Sequence, residues 1–303
     1  MLIEQAFYNL PEILVGSGYA RQEYEAGIVS AFSLALLQEL NGRNAPNPIS
    51  LITAEKRFFN NRAKLRADLN IRLGALYVGS KDYSDFGHRH NNWIEAKFFR
   101  TGKGAVPSTQ NLGQVVADLI RLAALVPLEI ARDKNGADTE FTTTGRYFLH
   151  VYHGDPLAHL NPARKKKGAQ PRKWVESLLT QGTSEISDFE LKNETDAFFT
   201  HLGKGLEPLT CSMKLANIKI SPREGSKHPF YTFVLSRIDE AEMAFNGNKF
   251  GFTSDRKWTC DPQNCFETLR ADIASKIKPK KASKSKVTIS YPELDDEDST
   301  NEA

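Results

Sequence analysis

"NNWIEAKFFRTG", residues 91–102, sets the reading of the whole chain. It opens on two amides, becomes apolar with a period of two, and carries Glu95 and Lys97 where a buried strand would carry Val or Ile. Ile94, Ala96 and Phe98 fall on one face of such a strand, and Trp93, Glu95, Lys97 and Phe99 on the other. Both charges therefore project to the same side. Burying either one alone costs several kcal/mol, on the order of 3–5 for a broken buried pair, so each needs a partner or a task.

The flanking pattern extends the strand into a fold. RQEYEAGIVSAFSLALLQEL (21–40) spaces Ala26, Val29, Phe32, Ser33, Leu36 and Leu40 as a helix, which Asn41-Gly42 and the proline-rich stretch after it end. In LRADLNIRLGALYVG (65–79), Leu65, Ala67, Leu69, Ile71 and Leu73 alternate with Arg66, Asp68, Asn70 and Arg72, which predicts a strand with one wet face. A polar loop with Asp82, Asp85, His88 and His90 leads into 91–99. STQNLGQVVADLIRLAAL (108–125) predicts a second helix, N-capped by Ser108 or Thr109. RYFLHVYHG (146–154) predicts a central strand on which His150 and His153 serve packing or hydrogen bonding rather than base catalysis. Further on, 194–202 and 262–276 are expected as helices, and 209–221 with 228–238 as a hairpin. There is no internal repeat.

The acid-x-Lys tripeptide recurs at Glu190/Lys192 and Asp255/Lys257, but in polar, loop-like segments. Only Glu95-Ala96-Lys97 lies in an apolar strand, and only it follows a strand bearing a further carboxylate, Asp68. Neighbouring strands stand about 4.8 Å apart, so Asp68 and Glu95 can meet. Two carboxylates that close repel unless a cation lies between them. Mg²⁺ favours one or two carboxylates, completed by water and phosphate. A lysine on the same face could hold an attacking water or offset charge on a phosphorane-like transition state. The alternative is a cross-strand salt bridge on a solvated sheet, with Asp68 paired to Arg66 or Arg72.

Asp68 followed by Glu95-Ala96-Lys97 resembles the PD-(D/E)xK nucleases, the restriction-endonuclease-like superfamily. The resemblance covers about residues 20–155 and implies an α/β fold. Its αβββαβ core has a mixed central sheet flanked by helices, with ISLIT (49–53) as a candidate first strand. It implies Asp68 and Glu95 as metal ligands for Mg²⁺ or Mn²⁺, and Lys97 as the residue that positions water. Glu25 (or Glu23) on the first helix and Gln114 on the helix after the lysine strand would support them. No proline precedes Asp68, where Ala67 stands, and Asp82 and Asp85 are rivals for the first carboxylate. The activity implied is metal-dependent hydrolysis of DNA phosphodiesters, in a prokaryotic restriction or anti-phage setting. A non-catalytic nucleic-acid-binding or partner-binding protein on the same fold, or an RNA nuclease, remains open.

Composition bears on partners and compartment. Net charge is only +3, but it is segregated. Arg164, Lys165, Lys166, Lys167, Arg172 and Lys173 cluster beside Trp174, which could stack on a base, while 293–303 is acidic. This pattern suits a polyanionic partner such as nucleic acid; the family resemblance implies DNA ahead of RNA and allows a homodimer. No stretch approaches the ~20 apolar residues of a membrane span, and the N-terminus lacks the basic start of a signal peptide. The chain has three cysteines, Cys211, Cys260 and Cys265. With no CxxC pair among them, they point to free thiols in a reducing cytoplasm rather than to zinc. The expected organisation is a core over 1–155, an α+β extension over 156–277 packed on or continuing it, and a charged, disordered tail over 278–303.

Overall fold

The computed structural model describes residues 2–18, 24–57, 66–73, 91–102, 105–123, 144–161, 172–186, 210–222, 230–245 and 248–252. The expected helices at 194–202 and 262–276, the 278–303 tail, Glu23, Asp82, Asp85, His88, His90, Arg164 to Lys167, Cys260 and Cys265 all lie outside them.

The protein is α/β. The helices are α1 (Leu2–Gly16), α2 (Glu25–Gly42), α3 (Ser108–Ala123), α4 (Pro156–Leu160) and α5 (Lys173–Leu179). The strands are β1 (Ile52–Arg57), β2 (Arg66–Arg72), β3 (Asn91–Phe99), β4 (Thr144–His153), β5 (Gly182–Ile186), β6 (Thr210–Ile220), β7 (Tyr231–Phe245) and β8 (Asn248–Phe252). They form one mixed sheet in the order β1-β2-β3-β4-β7-β6-β5, with β8 paired to β7. Strands β3 and β4 are parallel and joined through α3, the crossover that a parallel pair requires. The β6–β7 pair is antiparallel. Because β7 also pairs with β4, the C-terminal strands continue the sheet begun by the first half of the chain.

Both faces of the sheet are covered. Ile94, Ala96, Leu69, Ile71, Leu149 and Val151 pack under α1 and α2. Trp93, Phe99, Phe148 and Tyr152 pack under α3, α4 and α5. Helix α2 buries Ile28, Ala31, Phe32, Ala35 and Leu36, a stripe rotated from the one its sequence suggested through Val29 and Ser33.

Three expectations are corrected here. Residues 49–53 do not form a strand throughout: Pro48–Leu51 is a 3₁₀ turn, with Pro48 fixing φ at its start, and β1 begins at Ile52. The polar face of β2 is wet only at its ends, where Arg66 and Arg72 are exposed, while Asp68 is half-buried. Asn70 is fully buried, and its Nδ2 donates to Asn91 Oδ1 at 2.7 Å and to the Asn92 carbonyl at 3.0 Å. Lys56 Nζ completes it by donating to Asn70 Oδ1 at 3.0 Å. Trp174 cannot stack on a base, because it is only 8 % exposed and packs into the core beneath α5.

His150 is fully buried between β3 and β7. One ring nitrogen meets Tyr152 Oη at 2.7 Å and the other Ser236 Oγ at 3.1 Å. Burial lowers its pKa to about 3, so it remains neutral and structural.

Candidate active site

The site exists because the β2–β3 ladder stops. Its register runs from Arg72↔Asn91 to Leu69↔Ile94 and ends one residue short of Asp68 and Glu95. There the Asp68 side chain takes the place of a ladder carbonyl, its Oδ2 accepting the Ala96 N–H at 2.6 Å. Past that point β3 still pairs with β4, so Glu95 and Lys97 stay on a rigid strand while the ground beside them opens. Helices α2 and α3 bring side chains into the opening.

Glu25 is the first residue of α2, where the helix dipole favours a carboxylate. Its Oε1 and Oε2 accept from Lys97 Nζ at 3.2 and 3.0 Å. Lys97 Nζ also lies 3.5 Å from Asp118 Oδ2 on α3. Glu95, 2 % exposed, is gripped by Arg121 from the same helix. Nε donates to Glu95 Oε1 at 3.0 Å and Nη2 to Oε2 at 2.6 Å, the bidentate geometry of the strongest charge-assisted pairs. Arg121 Nη2 further donates to Asp118 Oδ1 at 2.9 Å.

The structure thus brings together Glu25, Asp68, Glu95 and Lys97, all singled out in the sequence, and adds Asp118 and Arg121. Gln114 sits half-buried on α3, one turn before Asp118 and two before Arg121, on the same side of the helix. A signal for the two missed residues was available: they are the only charges in α3, three apart, within its apolar stripe. Of the basic cluster, Arg172 and Lys173 are described; they begin α5, half-buried and exposed respectively.

Four carboxylates here face two cations, a formal surplus of two negative charges. Burial is the main cause of the resulting shifts. It holds the Glu25 and Asp68 carboxyls above their usual range, although Lys97 pulls the first down and the Ala96 N–H the second. Glu95 is pushed well above, since Arg121 offsets only part of the desolvation and Asp68 and Asp118 add repulsion. Burial alone would lower Lys97 and Arg121, but both are held above their ordinary values, Lys97 by Asp118 and Glu25 and Arg121 by Glu95 and Asp118.

A divalent cation suits this donor set chemically. The ligands are hard carboxylate oxygens, and their surplus charge equals that of Mg²⁺ or Mn²⁺. Asp68 and Glu95 would hold the ion, with Glu95 first released from Arg121. Among the described residues no group of three or more Asp, Glu, His or Cys stands at metal-binding spacing. Lys97 joins Glu25 to Asp118, and Arg121 joins Glu95 to Asp118.

Fold and site together define an α/β protein with a carboxylate–lysine–arginine cluster where two strands of a mixed sheet part. Among known proteins, no family model, curated sequence or solved structure matches the chain. No helix among the described residues is long and apolar enough to cross a membrane.

Proposed function

We propose that this protein is a metal-dependent nuclease of the PD-(D/E)xK type, on a restriction-endonuclease-like core formed by α2, β1 to β3, α3 and β4. Its substrate is DNA, in a prokaryotic restriction or anti-phage setting, the common role of such enzymes. The observation that carries this reading is the convergence of Glu25, Asp68, Glu95 and Lys97, from three separate elements, where β2 leaves β3. A solvated salt bridge needs two charges. Six charged groups gathered here, with Glu95 and Asp118 buried and the others half-buried, carry a desolvation cost that a purely structural role leaves unexplained.

When bound, the ion would polarise a phosphate oxygen and acidify a water. The protein's own residues set the geometry. Asp68 is aimed by its bond to Ala96 N–H, and Glu95 by the rigid β3–β4 pair. Lys97, kept protonated by Glu25 and Asp118, offers hydrogen bonds to the attacking water or to the non-bridging oxygens. Hydrolysis joins the water oxygen to phosphorus and breaks one bridging P–O bond. The water's proton passes to solvent, and the leaving oxygen takes one up.

A second reading, nucleic-acid binding without cleavage, is favoured by one contact: Arg121 occupies both oxygens of Glu95. Incubating the purified protein with plasmid, linear DNA and RNA, in Mg²⁺, Mn²⁺ or EDTA, separates the two. Cleavage confined to the metal lanes is expected. Binding with intact substrate in every lane would leave only the second reading.

A further inference from the structure

The carboxyl ends of β3 and β4 finish at one edge of the sheet, beside the charge cluster. Open α/β sheets bind ligands at such strand ends. Tyr24 immediately precedes Glu25 and is 61 % exposed. The guanidinium of Arg100, three residues beyond Lys97, lies over its ring, 5.6 Å from the centroid. Next to Arg100, Thr101 Oγ1 meets His153 Nδ1 at 3.0 Å. The His153 ring stands edge-on to Phe230 at 6.5 Å and against Tyr231 at 5.3 Å. Phe230 is 64 % exposed, yet its backbone is pinned: Gly154 N–H donates to its carbonyl at 2.6 Å, and Thr232 Oγ1 to the Gly154 carbonyl at 3.0 Å. Gly154 makes this turn at φ +82°, a conformation that suits glycine. The acidic neighbour Asp155 turns its carboxylate onto the Leu157 N–H.

We infer that this edge, from Tyr24 through Arg100 and His153 to Phe230, binds single-stranded nucleic acid. Two exposed rings on fixed backbone, with the Arg100 guanidinium and the His153 ring between them, suit unpaired bases that stack while phosphates meet Arg100. Base pairs in a duplex stack on each other and hide those faces, so exposed rings would gain little from one. The site deepens the nuclease reading, on which it rests for its purpose: a strand lying along this edge passes Glu25 and Lys97.

Binding of labelled oligothymidylate and of a labelled duplex, measured by anisotropy in EDTA, tests it. Tyr24→Ser and Phe230→Ser should each weaken single-strand binding on the order of tenfold and leave duplex binding unchanged. Phe230→Trp should bind as wild type, with indole fluorescence quenched by the oligothymidylate. That variant keeps the test open if a serine variant misfolds. Unchanged single-strand affinity in the serine variants, an equal loss on duplex, or no quenching overturns the inference, as would a preference for peptides over oligonucleotides. The two proposals fail separately. Ring-dependent binding without cleavage in Mg²⁺ would sink the nuclease reading alone, and metal-dependent cleavage by a protein whose rings do not matter would sink this one alone.

Discussion

Removing one charge from each side of the Glu95–Arg121 pair should move stability in opposite directions. The cluster has a formal surplus of two negative charges, so Glu95→Gln reduces it to one and Arg121→Met raises it to three. In Glu95→Gln the amide keeps the carboxylate's shape, and Arg121 retains Asp118 at 2.9 Å. The gain is relief of the burial cost that holds the Glu95 carboxyl so high, against the loss of one good hydrogen bond to arginine. These nearly cancel, leaving a change within about 1 kcal/mol, on the stabilising side.

Arg121→Met leaves Glu95 and Asp118 buried with Lys97 as their nearest cation. Breaking a buried pair in this way costs about 3–5 kcal/mol, and the 30 % exposure of the Arg121 side chain places the cost at about 3. For a domain of this size that lowers Tm by roughly 6–12 °C. Thermal denaturation followed by circular dichroism reads both variants. A saturating divalent cation offers a second check, because it replaces the lost positive charge. At about 100 times its Kd it should return about 2.7 kcal/mol to Arg121→Met. Equal destabilisation by the two substitutions, or a lower Tm for Glu95→Gln than for Arg121→Met, would refute the charge argument and leave a plain structural salt bridge.

Glu25, Asp68 and Glu95 all have carboxyl pKa values raised on folding, so above the usual carboxylate range the folded state holds more protons than the unfolded one. Stability should therefore fall as pH rises through that window, and melting curves across it should show a shallower slope in Glu95→Gln. Lys97→Met should abolish cleavage while leaving duplex binding intact, and should lower Tm because Glu25 and Asp118 lose their shared cation; gel assays of cleavage and binding separate these effects. Replacing Arg164, Lys165, Lys166 and Lys167 by Gln should weaken binding to all sequences alike and flatten its log–log salt dependence by roughly 0.9 per lost phosphate contact, measured by anisotropy across a salt series. An unchanged slope would make this cluster a solvated loop.

Much of this architecture is legible because strands and helices write different periods. The two-residue alternation through 91–99 and the helical stripe through 108–123 match β3 and α3 closely, and β4 falls where a β-branched and aromatic run predicts a central strand. What was hidden has specific causes. Pro11 inside α1 breaks the helical signal of the N-terminal segment, although Leu2, Ala6, Leu10 and Leu14 bury at helical spacing around it. Asn70 reads as a wet residue because a single sequence cannot show that Asn91 and Asn92 will satisfy it. Asp118 and Arg121 belong to the site through tertiary placement: each is polar on its own, and only α3 lying over β3 turns them toward Glu95 and Lys97.

The same hydrogen bond that ends the ladder also fixes the register on which the site depends. A one-residue slip of β2 against β3 would send Asp68 and Asn70 to the face now occupied by Leu69 and Ile71, beneath α1 and α2, and away from Glu95 and Lys97. Two devices oppose that slip. Asn70 clamps the paired end through Asn91 and Asn92, and Asp68 captures Ala96 N–H at the open end. Asp68 must be short for this, since a side chain reaching from β2 to a β3 backbone amide has little more than one inter-strand gap to span. It is thus at once the backbone cap and the candidate metal ligand, and its carboxylate is held ionisable but at a cost. A cluster that stores surplus negative charge between two locked strands is less stable than an apolar replacement would be. Such a cost is consistent with a site built to receive a cation.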